Sequence, residues 1–218
     1  MSEATNLQTS RRYTSGEEFA SSLTHGIGAG LSIVALAVLV IYSSLTGDAW
    51  RVVSFSIYGS CLVSLYLAST LYHAVHAPRL KRIFRVCDHV AIFLLIAGSY
   101  TPITLVSLRG GWGWTLFGLI WGLAVFGILL EIFCMDRIRW LTISIYLGMG
   151  WLVVIAGKPV VEALDGGMLF WLGAGGLAYT GGVAFYLWKK LPYNHAIWHL
   201  FVMGGSACHF FGFWMYVL

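Results

Sequence analysis

The sequence predicts an all-α, polytopic membrane protein: a bundle of seven transmembrane helices. Three observations lead to that class. Of its 218 residues 59% are hydrophobic and only 10% charged, with a mean hydropathy of +0.81. A soluble domain of similar size carries roughly 25% charged residues. The apolar residues fall in runs long enough to cross a bilayer, which takes ~20 residues per helix. The polar breaks between runs are short, so seven spans consume most of the chain and leave no room for a separate soluble domain.

Residues 1–16 form a short polar segment, and residues 17–218 the membrane domain. No short apolar stretch with a cleavage site follows Arg11 and Arg12, so the first apolar run is expected to stay in the membrane. The runs are Phe19–Leu45, Arg51–Ala74, Val86–Ser107, Trp112–Cys134, Trp140–Ala156, Gly167–Trp188 and Tyr193–Val217. They are separated at Thr46-Gly47-Asp48, at a basic turn Pro78-Arg79-Leu80-Lys81-Arg82, at Arg109-Gly110-Gly111, at Asp136-Arg137, at Leu164-Asp165-Gly166 and at Lys189-Lys190-Leu191-Pro192. Pro102 should kink or end the third helix. Gly118 and Gly122, and Gly173, Gly175 and Gly176, predict close helix packing in the fourth and sixth spans. Cys61, Cys87, Cys134 and Cys208 show no CxxC spacing and read as reduced thiols.

Basic residues set the orientation. One side of a seven-span arrangement collects Arg11, Arg12, Arg79, Lys81, Arg82, Arg85, Arg137, Arg139, Lys189 and Lys190, the other only Arg51, Arg109 and Lys158. The positive-inside rule then puts the N-terminus in the cytoplasm and the C-terminus outside, as expected of a multi-pass protein of a bacterial plasma membrane.

With directions assigned, ionisable groups can be placed by depth. His195 and His199 are four apart, hence on one helical face a turn apart, the spacing by which a helix offers two imidazoles to one metal ion. They open a run, Ala196 to Leu218, free of Lys, Arg, Asp and Glu. Ionisable groups at membrane depth are costly and count as site candidates. His73 closes the second span at the same level, with Ser69 one turn deeper, and Asp88 stands near the start of the third. Three imidazoles beside a carboxylate and a hydroxyl suit an open zinc site, with water in the fourth position. Asp88 could hold and deprotonate that water, and Ser69 could donate a hydrogen bond to it or to a developing oxyanion. Plainer readings compete: His73 as a helix-end histidine, Asp88 as a first-turn acid or partner of Arg85, Ser69 as a serine bonded back to its own helix.

The same residues resemble a known family. Ser69-x-x-x-His73, Asp88 followed by Ala91-Ile92-x-x-Leu95-Ile96-x-Gly98-Ser99-Tyr100-Thr101-Pro102, and His195-x-x-x-His199 are similar to the signature of the hemolysin III family. That family is the bacterial branch of the progestin and adipoQ receptor superfamily. Glu17-Glu18, with Thr24-His25-x-x-Gly28, resembles its opening motif, and Ser21 stands where many members carry Asn. The resemblance runs from about Tyr13 to Phe211. It implies seven helices with an intracellular N-terminus, a zinc ion held by His73, His195 and His199, and Asp88 and Ser69 at the water. Adiponectin receptors and alkaline ceramidases in the wider superfamily imply hydrolysis of lipid amides.

Four other groups are weighed against this site. His25 could approach it as a ligand or support it from just outside. Glu17 and Glu18 are candidates for the same supporting role, though capping the first helix or contacting basic loops is their simpler reading. His209 lies about 21 Å further along its helix than His195 and should be a packing residue. His89 points roughly 100° away from Asp88, so only one of the two can face the site squarely.

The leading functional reading is a zinc-dependent hydrolase of amide or ester bonds in lipid-like substrates drawn from the inner leaflet, with a role in membrane lipid homeostasis. Two others stay open: a zinc-stabilised sensor without turnover, and a pore or ion pathway in which Glu131 would line the path. Membrane lipids are the expected partners and Zn²⁺ the expected cofactor. No nucleic-acid partner is expected, and the sequence assigns no oligomeric state.

Overall fold

The computed structural model of the chain describes residues 13–45, 48–135 and 137–218. The expectations for Arg11, Arg12, Thr46, Gly47 and Asp136 fall outside them. Described residues form eight α-helices in chain order: α1 (Ser15–Leu45), α2 (Ala49–Ala74), α3 (Pro78–Pro102), α4 (Gly111–Cys134), α5 (Arg139–Gly150), α6 (Gly157–Ala163), α7 (Gly166–Leu187) and α8 (Asn194–Tyr216). Ile103–Ser107 continues α3 as a π-helical turn, and Leu152–Ala156 joins α5 to α6 as a 3₁₀ turn. The result is seven segments long and apolar enough to cross a membrane. Each of α1, α2, α3 and α4 packs on the next, α5 lies against α3 and α4, α7 packs on α8, and α8 returns to α1. The innermost rod is the third span, 67% buried where no other exceeds 50%.

The third and fifth spans run well past their expected ends. The Pro78–Arg82 stretch is helix rather than a turn, and α3 begins at Pro78 itself. Proline suits the first helical position, where its missing N–H is one that the helix could not use anyway. The chain reverses at Val75–Ala77 instead. Lys81, one turn into α3, reaches back to the final carbonyls of α2, 3.1 Å from Tyr72 O and 3.5 Å from Val75 O. The fifth span runs on from the expected Ala156 to Ala163. Pro159 is tolerated there because it falls in the first turn of α6.

Pro102 ends the regular α-helix, as expected. The span continues because Leu108 N–H bonds to Ile103 O at 2.8 Å, five residues back. Backbone groups released inside a membrane need partners. Around the break after α5 a single phenol provides them: Tyr100 Oη donates to Met149 O at 2.9 Å and accepts from Val153 N at 2.9 Å.

The glycine expectation needs correction for α4. A Cβ at Gly118 or Gly122 would meet nothing within 4 Å. The packed stripe of α4 is Gly113, Leu116, Ile120, Ala124, Gly127 and Glu131. Gly118 and Gly122 each lie two residues from it, about 200° round the helix. Gly173 is open as well, whereas Gly175 is packed, its Cβ position 2.4 Å from His209 Cδ2. The tightest approach lies beside the π turn, where a Cβ at Gly113 would sit 2.2 Å from Thr104 O and 2.6 Å from Leu108 O. Backbone carbonyls cannot swing aside as side chains do. Gly113→Ala should therefore cost about 1–3 kcal/mol, the range of overpacked cores, visible as a lower Tm of the detergent-solubilised protein. Gly118→Ala should leave Tm unchanged.

Candidate metal centre

The site forms where α2 ends and α8 begins. His73, His195 and His199 are all buried, and they offer one nitrogen each within 4.8 Å of one another. Their ring centroids lie 4.9 Å (His73–His195), 5.1 Å (His73–His199) and 4.6 Å (His195–His199) apart. Aligned His195 and His199 follow from helical periodicity. The arrival of His73 depends on how α2 and α8 are placed around the bundle.

Hydrogen bonds prepare two of the rings to bind a cation. His73 Nδ1 lies 2.7 Å from Glu18 Oε2, and Lys81 Nζ lies 2.9 Å from the other oxygen of that carboxylate. An ionised carboxylate only accepts, so Nδ1 carries the proton and Nε2 keeps its lone pair. His199 Nδ1 donates to Ser21 O at 3.1 Å, with Thr24 Oγ1 at 3.3 Å, which assigns the same tautomer. Since the partner at position 21 is a backbone carbonyl, the serine side chain there does not disturb the bond. His73 Nε2 and both nitrogens of His195 are buried without a hydrogen-bond partner. Buried polar groups are rarely left so unless something absent satisfies them. The donor set and its orphaned nitrogens therefore fit a metal ion, and imidazole suits several divalent cations.

The remaining candidates separate by position. Glu17 forms a capping box with Thr14: Thr14 N donates to Glu17 Oε2 at 2.9 Å, and Glu17 N donates to Thr14 Oγ1 at 3.2 Å. Its second oxygen accepts from Tyr193 N at 3.1 Å, tying α1 to the residue that precedes α8. Tyr193 needs that hold, since its φ of 56° is a left-handed conformation seldom adopted outside glycine. Glu18 is the glutamate that reaches the site. The His25 ring stacks on His199 with centroids 3.5 Å apart and planes 10° off parallel. Its nitrogens do not join the group of three, and both are buried without partners.

Asp88 is buried on α3, its carboxyl within electrostatic reach of His73 and His89. The Ser69 hydroxyl lies beside that carboxyl and is not bonded back to its own helix. His89 turns the other way, as expected: its Nδ1 lies 2.5 Å from Glu131 Oε1, and Thr142 Oγ1 donates to Glu131 Oε2 at 3.1 Å. That set joins α3, α4 and α5. His209 packs against Tyr179, ring centroids 5.5 Å apart, far along α8 from the site.

Sequence reasoning missed Tyr13 as part of the site. Its ring lies 5.2 Å from His195 and 6.5 Å from His73. Burial pushes its hydroxyl well above the ordinary tyrosine pKa, so it stays protonated. The available signal was an aromatic residue directly before a Thr-x-x-Glu capping box, which anchors whatever precedes the helix.

Glu18 gives the first test of the site. Partners that orient a ligating histidine are worth 10–100-fold in metal affinity. Glu18→Gln should weaken metal binding by about that factor, measured by competition with a chelator of known affinity.

Seven apolar spans around a buried triad of imidazoles define a multi-pass membrane protein with a candidate metal centre. Comparison with known proteins narrows the class. The sequence profile of the family described as Haemolysin-III related matches residues 13–210, and the chain belongs to that family, within the progestin and adipoQ receptor superfamily. It is 52% identical over 202 residues to Hemolysin-3 of Bacillus cereus, covering 93% of this chain and 92% of that one. It is 48% identical over 199 residues to a Hemolysin-3 homolog of Bacillus subtilis (strain 168), covering 91% and 93%. The human monocyte to macrophage differentiation factor is 31% identical over 209 residues, covering 92% and 84%. Family and fold together make this a multi-pass bacterial membrane protein.

Proposed function

We propose that this protein is a zinc-dependent hydrolase of amide or ester bonds in lipid-like substrates, acting in membrane lipid homeostasis. The observation that carries the reading is the buried triad with orphaned nitrogens, with the buried Asp88 carboxyl and the Ser69 hydroxyl nearby. A zinc ion bound there would supply Lewis acidity and make water a nucleophile at neutral pH. The chain's own residues do the rest. His73, His195 and His199 would hold the ion, two of them with Nε2 presented by fixed Nδ1–H bonds. The Asp88 carboxylate accepts the proton released when water attacks the scissile carbonyl and returns it to the leaving amine or alcohol. The Ser69 hydroxyl donates to the oxygen on which charge develops. The charge bias assigns this end of the bundle to the cytoplasm, so the substrate comes from the inner leaflet.

Zinc analysis of the purified protein, joined to lipidomics of cells lacking it or carrying histidine-altered forms, tests the reading. One zinc per chain and accumulation of an acylated lipid in both cell types are expected. A protein without zinc, or an unchanged lipid profile, would overturn it. A second reading, a sensor without turnover, draws on the fact that the ion would crosslink α2 and α8, with Glu18 adding α1. In that case removing zinc unfolds the bundle, and no lipid accumulates in proportion to lost activity. The pore reading has less to draw on, because the Glu131 carboxylate is engaged by His89 and Thr142.

A further inference from the structure

A cleft of about 390 Å³ opens where the third span ends and α4 begins, at the opposite end of the bundle from the metal centre. Residues 107–112 form one side of it, and Pro159, Glu162 and Ala163 of α6 form the other. That volume falls in the range of small-molecule sites, ~300–1,000 Å³. Two adjacent glycines keep the floor bare. Gly110 has a φ of 149°, a conformation that favours glycine, and a Cβ at Gly111 would meet nothing within 4 Å. The charge bias assigns this end of the bundle to the outside.

Three side chains on its border select the occupant. Arg109 holds its guanidinium over the Trp50 ring, 5.1 Å from the centroid. A guanidinium has five N–H donors, and contact with a ring leaves enough of them for a bidentate pair with a phosphate. Among the described residues those donors make no hydrogen bond and no ion pair. Glu162 pairs, among the described residues, only with Lys158, at 3.8 Å and with both side chains exposed. Such a surface pair has little strength, and a second cation can compete for the carboxylate. Trp112 adds an indole, the ring that best attracts an ammonium group. A guanidinium, a carboxylate and an indole around one cleft match a ligand that carries both a phosphate and an ammonium. The level of the cleft indicates where that ligand comes from. Trp50 and Trp114 stand edge to face with centroids 6.0 Å apart, and both are exposed, as is Trp112. Exposed tryptophans collect where lipid headgroups meet the hydrocarbon. Arg109, Glu162 and Ala163 are exposed as well, so a headgroup can enter while its chains stay in the bilayer.

We propose that this cleft binds the headgroup of a zwitterionic phospholipid of the outer leaflet, its phosphate on Arg109 and its ammonium between Glu162 and Trp112. Such a site is independent of what the metal centre does, and it stands or falls without any hydrolysis. Ser107, on its edge, is the last residue of the π turn that closes the innermost rod of the bundle. The bound headgroup therefore touches the same span that carries Asp88.

The test uses the full chain in nanodiscs of equal parts phosphatidylethanolamine and phosphatidylglycerol with identical acyl chains. Both lipids carry the phosphate, and only the first carries an ammonium. Lipid that stays bound after release from the nanodisc is read by native mass spectrometry, with Tm measured on the same samples. Phosphatidylethanolamine should be retained in preference. Arg109→Gln should reduce its retention about tenfold or more, the worth of one charge-assisted hydrogen bond, and Glu162→Gln by a similar factor. Lys158→Ala should raise it, because a competing cation leaves Glu162, an effect that a merely structural pair would not produce. Gly111→Leu and Ala163→Leu should each abolish the preference with Tm unchanged. They fill the cleft from opposite sides, so one decides if the other fails to fold. Equal retention of the two lipids overturns the proposal, as does a preference that survives Arg109→Gln and Glu162→Gln. Glycerophosphoethanolamine, the same headgroup without chains, should fail to displace the lipid at equimolar concentration. Displacement under those conditions would overturn the assignment to a membrane lipid.

Discussion

Protein carrying His195→Ala should purify with less than about one-hundredth of the wild type's affinity for zinc. The loss exceeds the 10–100-fold typical of outer partners because a ligand itself is removed. His195 is the cleanest of the three to alter, since neither of its nitrogens makes a hydrogen bond within the protein. The change therefore removes a metal contact and no protein contact. Stability provides an independent readout. An ion present at 100 times its Kd stabilises the folded state by ~2.7 kcal/mol, so a chelator should lower the wild-type Tm and leave that of His195→Ala unmoved. In chelator the variant should equal or exceed the wild type, because a buried unsatisfied polar group costs about 1–3 kcal/mol. Equal zinc in both proteins would remove the triad from consideration as a metal site.

Asp88→Asn should separate binding from chemistry. The substitution preserves shape but cannot accept a proton. If Asp88 is the general base, hydrolysis of a fluorescent N-acylsphingosine should fall about 10²–10⁴-fold, the usual worth of such a group. Zinc per chain should stay the same, because no Asp88 oxygen joins the cluster of three nitrogens. Loss of zinc in step with rate would make Asp88 a structural support of the metal and not its partner in proton transfer. Ser69→Ala tests the oxyanion role on the same assay, with a smaller loss expected and no change in zinc.

How much of this was legible in the residues differs from feature to feature. The apolar runs located every span, because a bilayer demands about 20 unbroken apolar residues whatever the neighbouring helices do. Helix ends were less legible. Pro78 with its basic neighbours looked like a turn, yet proline starts helices as readily as it breaks them. The glycines of α4 misled for another reason: small residues permit close packing, and only the rotation of the helix decides whether a neighbour is there. His195 and His199 could be paired from spacing alone, since they share a helix. Glu17 and Glu18 could not be told apart, being adjacent and chemically alike. One caps α1 and holds Tyr193, while the other crosses to His73.

The sequence by itself determined the class, the number of spans, the family and the level at which the ionisable groups lie. Those depend on composition, local periodicity and motif, which need no knowledge of distant contacts. Only the tertiary structure decided that His73, from a helix more than a hundred residues earlier in the chain, meets the pair on α8. It likewise decided which glutamate orients His73 and that the Tyr13 ring packs against His195. Each depends on the rotation and offset of one helix against another. Those are set by side-chain packing summed over the whole bundle, and no single stretch of sequence encodes them.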